Sequence, residues 1–328
     1  MLSLHKTPEA IKICDIVKGN RKVGVAYWHP VSNDKYKNTY ENIQDFNDGH
    51  FRDMFELSKE QAESILLGIE SDTVIESKKY FQVKRHIKEA LQISMDLKDT
   101  PESFQFNFLP QKQFTPHLLV VGSTNSGKTW WMKELCLRNL KGKKEDRRNF
   151  IIISAQYHRD KTLKELRHEK YSKWVTGIDA GEDGLKNSEY DNPEDFFKNE
   201  IARRIEYADP GTVIFADDYR DTCCSEQMRQ LINRGLRVYR HMGITLCLVL
   251  HSLRSGVWSS QAHNSVGYMV LFPRSQKNKI IQFFNQELSI PLKESRELVR
   301  KFSADSRVMM VGKHMPEVLI GDKLIHLI

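Results

Sequence analysis

The segment 118–131, LLVVGSTNSGKTWW, contains residue types at a spacing that suits phosphate binding. Gly122 and Gly127 are separated by four residues, and Lys128 and Thr129 follow directly. An apolar run precedes this loop and a helix-like stretch follows it, which is the context that the motif requires. Glycines let successive backbone N–H groups turn toward phosphate oxygens at the positive end of the helix.

In such a loop, Lys128 is expected to contact the β and γ phosphates of ATP, and the Thr129 hydroxyl to ligate Mg²⁺. The loop predicts a contiguous set of nucleotide-binding residues: Gly122, Ser123, Thr124, Asn125, Ser126, Gly127, Lys128, Thr129 and Trp130.

A pair of acids, Asp217 and Asp218, ends the apolar run TVIFADD. An open α/β sheet binds its ligands at the carboxyl ends of its strands. Asp217 therefore suits the Mg²⁺ shell, and Asp218 suits the group that orients the attacking water or accepts its proton. In the alternative interpretation, the two acids cap the next helix.

Another apolar run, ITLCLVL, ends in His251 and Ser252. A polar residue at this point can sense the γ-phosphate, and the sequence leaves open which of the two does so. A histidine here can instead be structural, with its hydrogen bonds satisfied inside the fold.

Arginines surround the same run: Arg234, Arg237 and Arg240 precede it and Arg254 follows it. Arg237 and Arg240 are three residues apart, a spacing that places them on one face of a helix. An arginine near a subunit edge can stabilise charge in a neighbouring active site, and Arg240 is the candidate for this role. Each of these arginines can also be an ordinary surface residue.

Five apolar runs of strand length must position these residues: 117–123, 149–155, 211–218, 243–252 and 267–272. They are continuous rather than alternating, as in parallel strands covered on both faces. Stretches of helical character lie between them, among them 192–207, where Asn192 is the expected cap. The pattern predicts an α/β fold, a three-layer P-loop NTPase of the ASCE type with a mainly parallel central sheet, over residues 105–290.

The flanking regions differ from this pattern. Residues 1–104 predict a partly helical appendage of unknown role, with a Ser58-x-x-Gln61 capping box and an amphipathic stretch at 78–95. Residues 291–328 predict a C-terminal extension in which RVMMVGKH and EVLIGD pair as a β-hairpin. The acidic stretch 177–195 is expected to be a solvated insertion.

Composition limits the function classes. With 328 residues, 40% hydrophobic and 28% charged, the chain is neither disordered nor collagen-like. Five cysteines without a C-x-x-C pair argue against a disulfide framework or zinc site and favour a reducing, intracellular compartment. No apolar run is long enough for a transmembrane segment. Residues 219–328 hold 16 Lys and Arg against 8 Asp and Glu, which suits a polyanionic partner or a solvated surface.

Four stretches together resemble a known family: VVGSTNSGKTWW, VIFADDY, RHMGITLCLVLHS and HNSVGYMVLFPRSQKNKIIQFF. In this order they are similar to the poxvirus-type genome-packaging ATPases of large DNA viruses, virophages and polinton-like elements, within the FtsK-HerA superfamily. The resemblance spans residues 115–290. It implies Lys128 and Thr129 on the nucleotide, Asp217 on Mg²⁺, Asp218 as the catalytic acid and Arg240 as a trans-acting arginine.

The resemblance also marks Asn264 as a family-typical residue near the site, and it shows one departure, since His251 stands where the superfamily commonly has glutamine. It implies a homo-oligomeric ring that uses ATP to push double-stranded DNA into a preformed capsid, with the capsid or portal vertex as partner. The expected location is the host cytoplasm or virus factory, or the virion.

Three alternatives remain at this point. The first is a cellular FtsK-HerA-type translocase, although such proteins usually carry membrane helices or a winged-helix tail. The second is a P-loop small-molecule kinase, which needs a lid with phosphate-binding arginines. The third is a non-enzymatic, nucleotide-dependent scaffold, against which the intact Lys128, Thr129, Asp217 and Asp218 argue.

Overall fold

The structure is a computed structural model. It describes residues 2–3, 10–19, 21–28, 55–70, 79–80, 82–83, 102–105, 116–142, 144–253, 264–313 and 317–328. The chain divides into two compact units, Met1–Met95 and Asp96–Ile328.

The first unit contains β-structure that the sequence did not predict. Strands β1 (Leu2–Ser3), β2 (Ile11–Lys18) and β3 (Arg21–Trp28) are antiparallel, with β3 between the other two. The expected helical character is present in α1 (Lys59–Glu70).

The predicted capping box of α1 is confirmed. The Ser58 N–H donates to Oε1 of Gln61 at 3.1 Å, and the Gln61 N–H donates to Oγ of Ser58 at 3.2 Å. Most of the amphipathic stretch 78–95 lies outside the described residues.

The second unit is built on a nine-stranded sheet, and it confirms the predicted α/β class. Its strands are β5 (Leu118–Val121), β6 (Phe150–Ser154), β7 (Val175–Asp179), β8 (Val213–Asp217), β9 (Thr245–Leu250), β10 (Tyr268–Leu271), β11 (Met309–Gly312), β12 (Val318–Ile320) and β13 (Ile325–Leu327), while β4 (Glu102–Gln105) precedes them in the chain. The order across the sheet is β13-β12-β11-β10-β5-β9-β8-β6-β7.

The five predicted strands are all present, and all run parallel. Every residue of β5, β6, β8 and β9 is buried, which explains why their sequences are continuously apolar. The strand that bears the acid pair, β8, is separated from the phosphate-loop strand β5 by β9. This order is the one expected for an ASCE-type sheet.

Helices flank the sheet. They are α2 (Lys128–Lys141), α3 (Glu182–Lys186), α4 (Pro193–Phe196), α5 (Arg203–Glu206), α6 (Ser225–Val238), α7 (Lys277–Glu287) and α8 (Leu292–Asp305), with a π-helical segment (Phe197–Ala202) joining α4 to α5. The predicted cap is confirmed, since the side chain of Asn192 accepts a hydrogen bond from the Asp195 N–H at 2.9 Å. Buried residues of these helices, among them Met132, Phe284 and Phe302, fill the core against the sheet.

The structure corrects two details of the flanks. Residues 177–179 of the expected solvated insertion belong to the edge strand β7, which pairs with β6. The predicted C-terminal hairpin is confirmed by the antiparallel pairing of β11 and β12, but β13 extends it and β11 pairs with β10. The hairpin is therefore part of the central sheet.

Candidate functional site

The candidate site lies at one edge of the sheet, where three parallel strands end together. Val121 at the end of β5 is level with Leu250 of β9, and Asp217 at the end of β8 is level with Val249. The phosphate loop, the acid pair and His251 each follow one of these strands, so the topology brings them to the same edge.

The phosphate loop is tightly constrained at its two glycines. A Cβ on Gly122 would lie 2.2 Å from Oγ of Ser126 and 2.8 Å from the Phe272 ring. Gly127, which caps α2, has φ of +106°, a conformation that favours glycine. Any side chain at either position would distort the loop.

Lys128 begins α2 and is only 6% exposed. Its Nζ donates to the backbone oxygens of Gly122 at 2.9 Å and Ser123 at 3.1 Å. Burial lowers the pKa of Lys128, and the carboxylates of Asp218 and Asp217 oppose that shift. The amine is thus held at the mouth of the loop by weak carbonyl partners that phosphate oxygens can replace.

The two acids have different surroundings. Asp217 is 4% exposed, and burial, reinforced by repulsion from Asp218, raises its pKa to about 7. Its Oδ1 is buried without a hydrogen-bond partner. Asp218 is partly exposed and adopts a left-handed conformation with φ of 46°, which aspartate tolerates better than most residues.

Asp217 has the properties of a metal ligand. A buried carboxylate oxygen without a partner, next to a second carboxylate, is stabilised by a divalent cation, and Mg²⁺ prefers oxygen ligands. Thr129 lies in the first turn of α2 and can add a hydroxyl oxygen. The residues present therefore fit Mg²⁺.

His251 connects the two halves of the site. Its Nε2 lies 2.6 Å from Oδ1 of Asp218, and its Nδ1 lies 3.4 Å from Nζ of Lys128. Because the lysine amine can only donate, Nδ1 is the acceptor and the ring hydrogen is assigned to Nε2. The sequence offered His251 as either sensor or structural residue, and the structure places it between the phosphate-loop lysine and the second acid.

Ser252, the other sensor candidate, is close to the same edge and accepts a hydrogen bond from Nζ of Lys279 at 3.0 Å. Gln276, at the start of α7, donates from its side chain to the backbone oxygen of His251 at 2.7 Å. Sequence reasoning missed Lys279 and Gln276, because only the pairing of β10 beside β5 brings the start of α7 to this edge.

The structure does not bring Arg240 to the phosphate loop of its own subunit. Arg240 is exposed in a short turn, Tyr239–Met242, that precedes β9. It therefore lies at the amino end of that strand, about 20 Å along the sheet from the carboxyl edge. Helix α6 ends at Val238, so Arg237 and Arg240 do not share one regular helix.

The role of Arg240 in a neighbouring subunit stays a prediction. Of the other candidates, Arg234 and Arg237 are exposed on α6, Asn264 is exposed, and Arg254 lies outside the described residues. One arginine that sequence reasoning did not consider, Arg307, does reach the phosphate loop, with its guanidinium 3.3–3.4 Å from the backbone oxygen of Ser126.

Several solved structures resemble this chain at low identity. The genome packaging NTPase B204 from Sulfolobus turreted icosahedral virus 2, in complex with ATP-gammaS, is 16% identical over 65% of this chain and 96% of its own, with a TM-score of 0.37. The pCW3 conjugation coupling protein TcpA, with ATPgS, is 14% identical over 65% of this chain and 61% of its own, with a TM-score of 0.37. The cytoplasmic domain of the Thermomonospora curvata type VII secretion ATPase EccC is 16% identical over 64% of this chain and 25% of its own, with a TM-score of 0.35.

No protein-family model and no curated protein matches the sequence. Within the described part of the chain, every helix is too short or too polar to span a lipid bilayer.

Proposed function

We propose that this chain is an ATP hydrolase that works as a motor on double-stranded DNA. The assignment as an ATP hydrolase is supported by a chain of contacts from Lys128 through His251 to Asp218, next to the buried Asp217. It combines a phosphate-binding cation, a group placed to accept a proton from water, and a ligand for Mg²⁺ in one place.

Each residue has a distinct task in this proposal. Mg²⁺, when bound, would neutralise negative charge on the phosphates. Asp217, with Thr129, would hold the ion, and the backbone N–H groups of the loop would hold the phosphates. Lys128 exchanges the oxygens of Gly122 and Ser123 for the phosphates, while Asp218 orients the attacking water and accepts its proton.

His251 can couple these two events. Its ring contacts Lys128 through Nδ1 and Asp218 through Nε2. When Lys128 moves toward a γ-phosphate, Nδ1 loses its contact with the amine and the ring keeps its contact with Asp218, so the two side chains can shift together toward the water. Phosphate occupancy would then control the readiness of the base.

The DNA part of the proposal rests on the sequence. The resemblance to genome-packaging ATPases implies double-stranded DNA as the substrate. The excess of Lys and Arg in residues 219–328 suits contacts to DNA phosphates without recognition of the bases. The same proposal includes packaging of the DNA into a capsid by a homo-oligomeric ring, with the capsid or portal vertex as partner. It also includes a location in the host cytoplasm, the virus factory or the virion. The cellular translocase is the alternative within the motor class.

The decisive experiment measures phosphate release by the purified full chain with ATP and Mg²⁺, with and without double-stranded DNA. We expect turnover without any acceptor, and an increase when DNA is added. Lys128→Ala is expected to abolish turnover, while Lys144→Ala, at an exposed position, should leave it unchanged.

The outcomes separate the alternatives. Turnover that requires a small-molecule acceptor would favour the P-loop kinase. ATP turnover that is unchanged by DNA would contradict a DNA motor but still support an ATP hydrolase. Nucleotide binding without any turnover would favour the non-enzymatic scaffold.

A further inference from the structure

Arg307 makes an unusual contact with the outside of the phosphate loop. Its Nε and Nη2 lie 3.4 Å and 3.3 Å from the same backbone oxygen, that of Ser126. The guanidinium also lies 5.9 Å from the centre of the Trp130 ring. A Cβ on Gly127 would come within 2.7 Å of Nη2, so the glycine permits this close approach.

The topology explains how a residue so far along the chain arrives there. Arg307 precedes β11, which is antiparallel to β10, and Met309 of β11 is level with Leu271 at the end of β10. Leu271 is in turn level with Val121, which ends β5. The amino end of an antiparallel strand thus lies at the same edge as the carboxyl ends of its parallel neighbours.

Two hydrogen bonds of Asp322, one from Arg307 and one to Ser306, fix the backbone at this point. The Arg307 N–H donates to Oδ2 of Asp322 at 3.3 Å, and the Asp322 N–H donates to Oγ of Ser306 at 2.6 Å. Ser306 is buried. The arginine therefore projects from an anchored point rather than from a free loop.

The contact has an electronic consequence for phosphate binding. The Ser126 oxygen and the Gly127 N–H belong to one planar peptide unit, in which the C=O and N–H point in opposite directions. The guanidinium of Arg307 on the Ser126 oxygen polarises this peptide unit, and hydrogen bonds in such a chain strengthen one another. The N–H of Gly127, on the opposite side of the same peptide, would then be a stronger donor to a phosphate held by the loop.

We propose that Arg307 is a positioning residue that strengthens phosphate binding by holding and polarising the Ser126–Gly127 peptide. The inference rests on the proposed function, because it concerns the same loop. Nucleotide affinity would then depend on the antiparallel part of the sheet, because Arg307 precedes β11. Arg307 itself lies outside the loop and touches no reacting atom.

The test measures the dissociation constants of the full chain for inorganic triphosphate and for ATP by calorimetry, with Mg²⁺. Arg307→Ala is expected to weaken both by about three- to fivefold, because the contact carries a charge but is exposed to solvent and 3.3–3.4 Å long. Arg307→Gln keeps a donor but no charge and should resemble the alanine variant, whereas Arg307→Lys should lie between it and the native protein. The control is Arg300→Ala, exposed on α8, which should change neither constant.

Steady-state kinetics add a second readout. We expect Arg307→Ala to raise KM for ATP with kcat nearly unchanged, because the loss concerns binding shared by substrate and transition state. Triphosphate affinity within twofold of the native value would overturn the inference, as would a glutamine variant that binds like the native protein. Weakened ATP binding with normal triphosphate binding would mean that Arg307 acts on the nucleoside instead. If the native chain binds triphosphate but hydrolyses no ATP, the proposed ATP hydrolase function is wrong. The binding constants of the Arg307 variants would still decide whether Arg307 strengthens phosphate binding.

Discussion

The buried Asp217 carboxyl makes the stability of the fold depend on pH in a direction that is unusual for an acid. Its pKa rises from 3.8 to about 7 on folding, chiefly through burial. Between these values the folded chain binds more protons than the unfolded chain, so this group lowers the free energy of unfolding as pH rises. Asp217→Asn removes the ionisable group and should therefore stabilise the ligand-free protein at high pH.

The magnitude follows from the size of the shift. One pKa unit corresponds to about 1.4 kcal/mol, so the raised pKa of Asp217 destabilises the fold by about 4 kcal/mol at pH 8, where the carboxyl is ionised, and by less than half of that at pH 5, where the folded carboxyl is protonated. The stability difference between Asp217→Asn and the native chain should thus grow by about 2 to 3 kcal/mol from pH 5 to pH 8. For a unit of 150–250 residues this corresponds to about 5–10 °C in Tm.

The assay is thermal unfolding in EDTA without nucleotide, at pH 5 and pH 8. Comparing the two pH values cancels the packing cost of the new amide, which is the same at both. The control Asp191→Asn removes an aspartate from an exposed position and should show no such change. A difference in Tm that stays constant between pH 5 and pH 8, or that shrinks, would refute the burial argument.

Three further predictions concern activity. Asp218→Asn should keep nucleotide binding in a fluorescence titration but lower turnover by about 10²-fold or more, since only the water-orienting group is lost; equal losses of both would mean that Asp218 is structural. Mixtures of Arg240→Ala and Lys128→Ala subunits should hydrolyse ATP faster than either variant alone if Arg240 acts in a neighbouring subunit, and no mixture should recover activity if it does not. Affinity for double-stranded DNA should fall steeply with salt and be indifferent to sequence, because backbone contacts release counterions; strong sequence preference at physiological salt would contradict a translocating motor.

The sequence predicted the parts of the fold that burial determines. The strands β5, β6, β8, β9 and β10 are recognisable because a strand covered on both faces must be apolar throughout. The edge strand β7 escaped prediction because its middle residues, Thr176 and Gly177, are only half-buried. Its sequence therefore lacks a continuous apolar run and merges into the acidic stretch that follows.

The sequence predicted those residues of the candidate site that belong to motifs next to predicted strands. Lys128 follows the loop after β5, Asp217 ends β8 and His251 directly follows β9, so a parallel sheet must bring them to one edge. Arg240 and Arg307 show the limit of that reasoning. Arg240 precedes a parallel strand and lies at the opposite edge, whereas Arg307 precedes an antiparallel strand and reaches the loop, and strand direction is a property of the assembled sheet that no local pattern records.

The antiparallel strands also determine how this sheet ends. Strand β10 is wholly apolar, YMVL, and one of its sides is occupied by β11. A bare apolar strand side offers unpaired N–H and C=O groups that recruit strands from other molecules. Because β11 occupies this side of β10, a chain cut before Met309 would keep Lys128, Asp217, Asp218 and His251 but is expected to aggregate through β10.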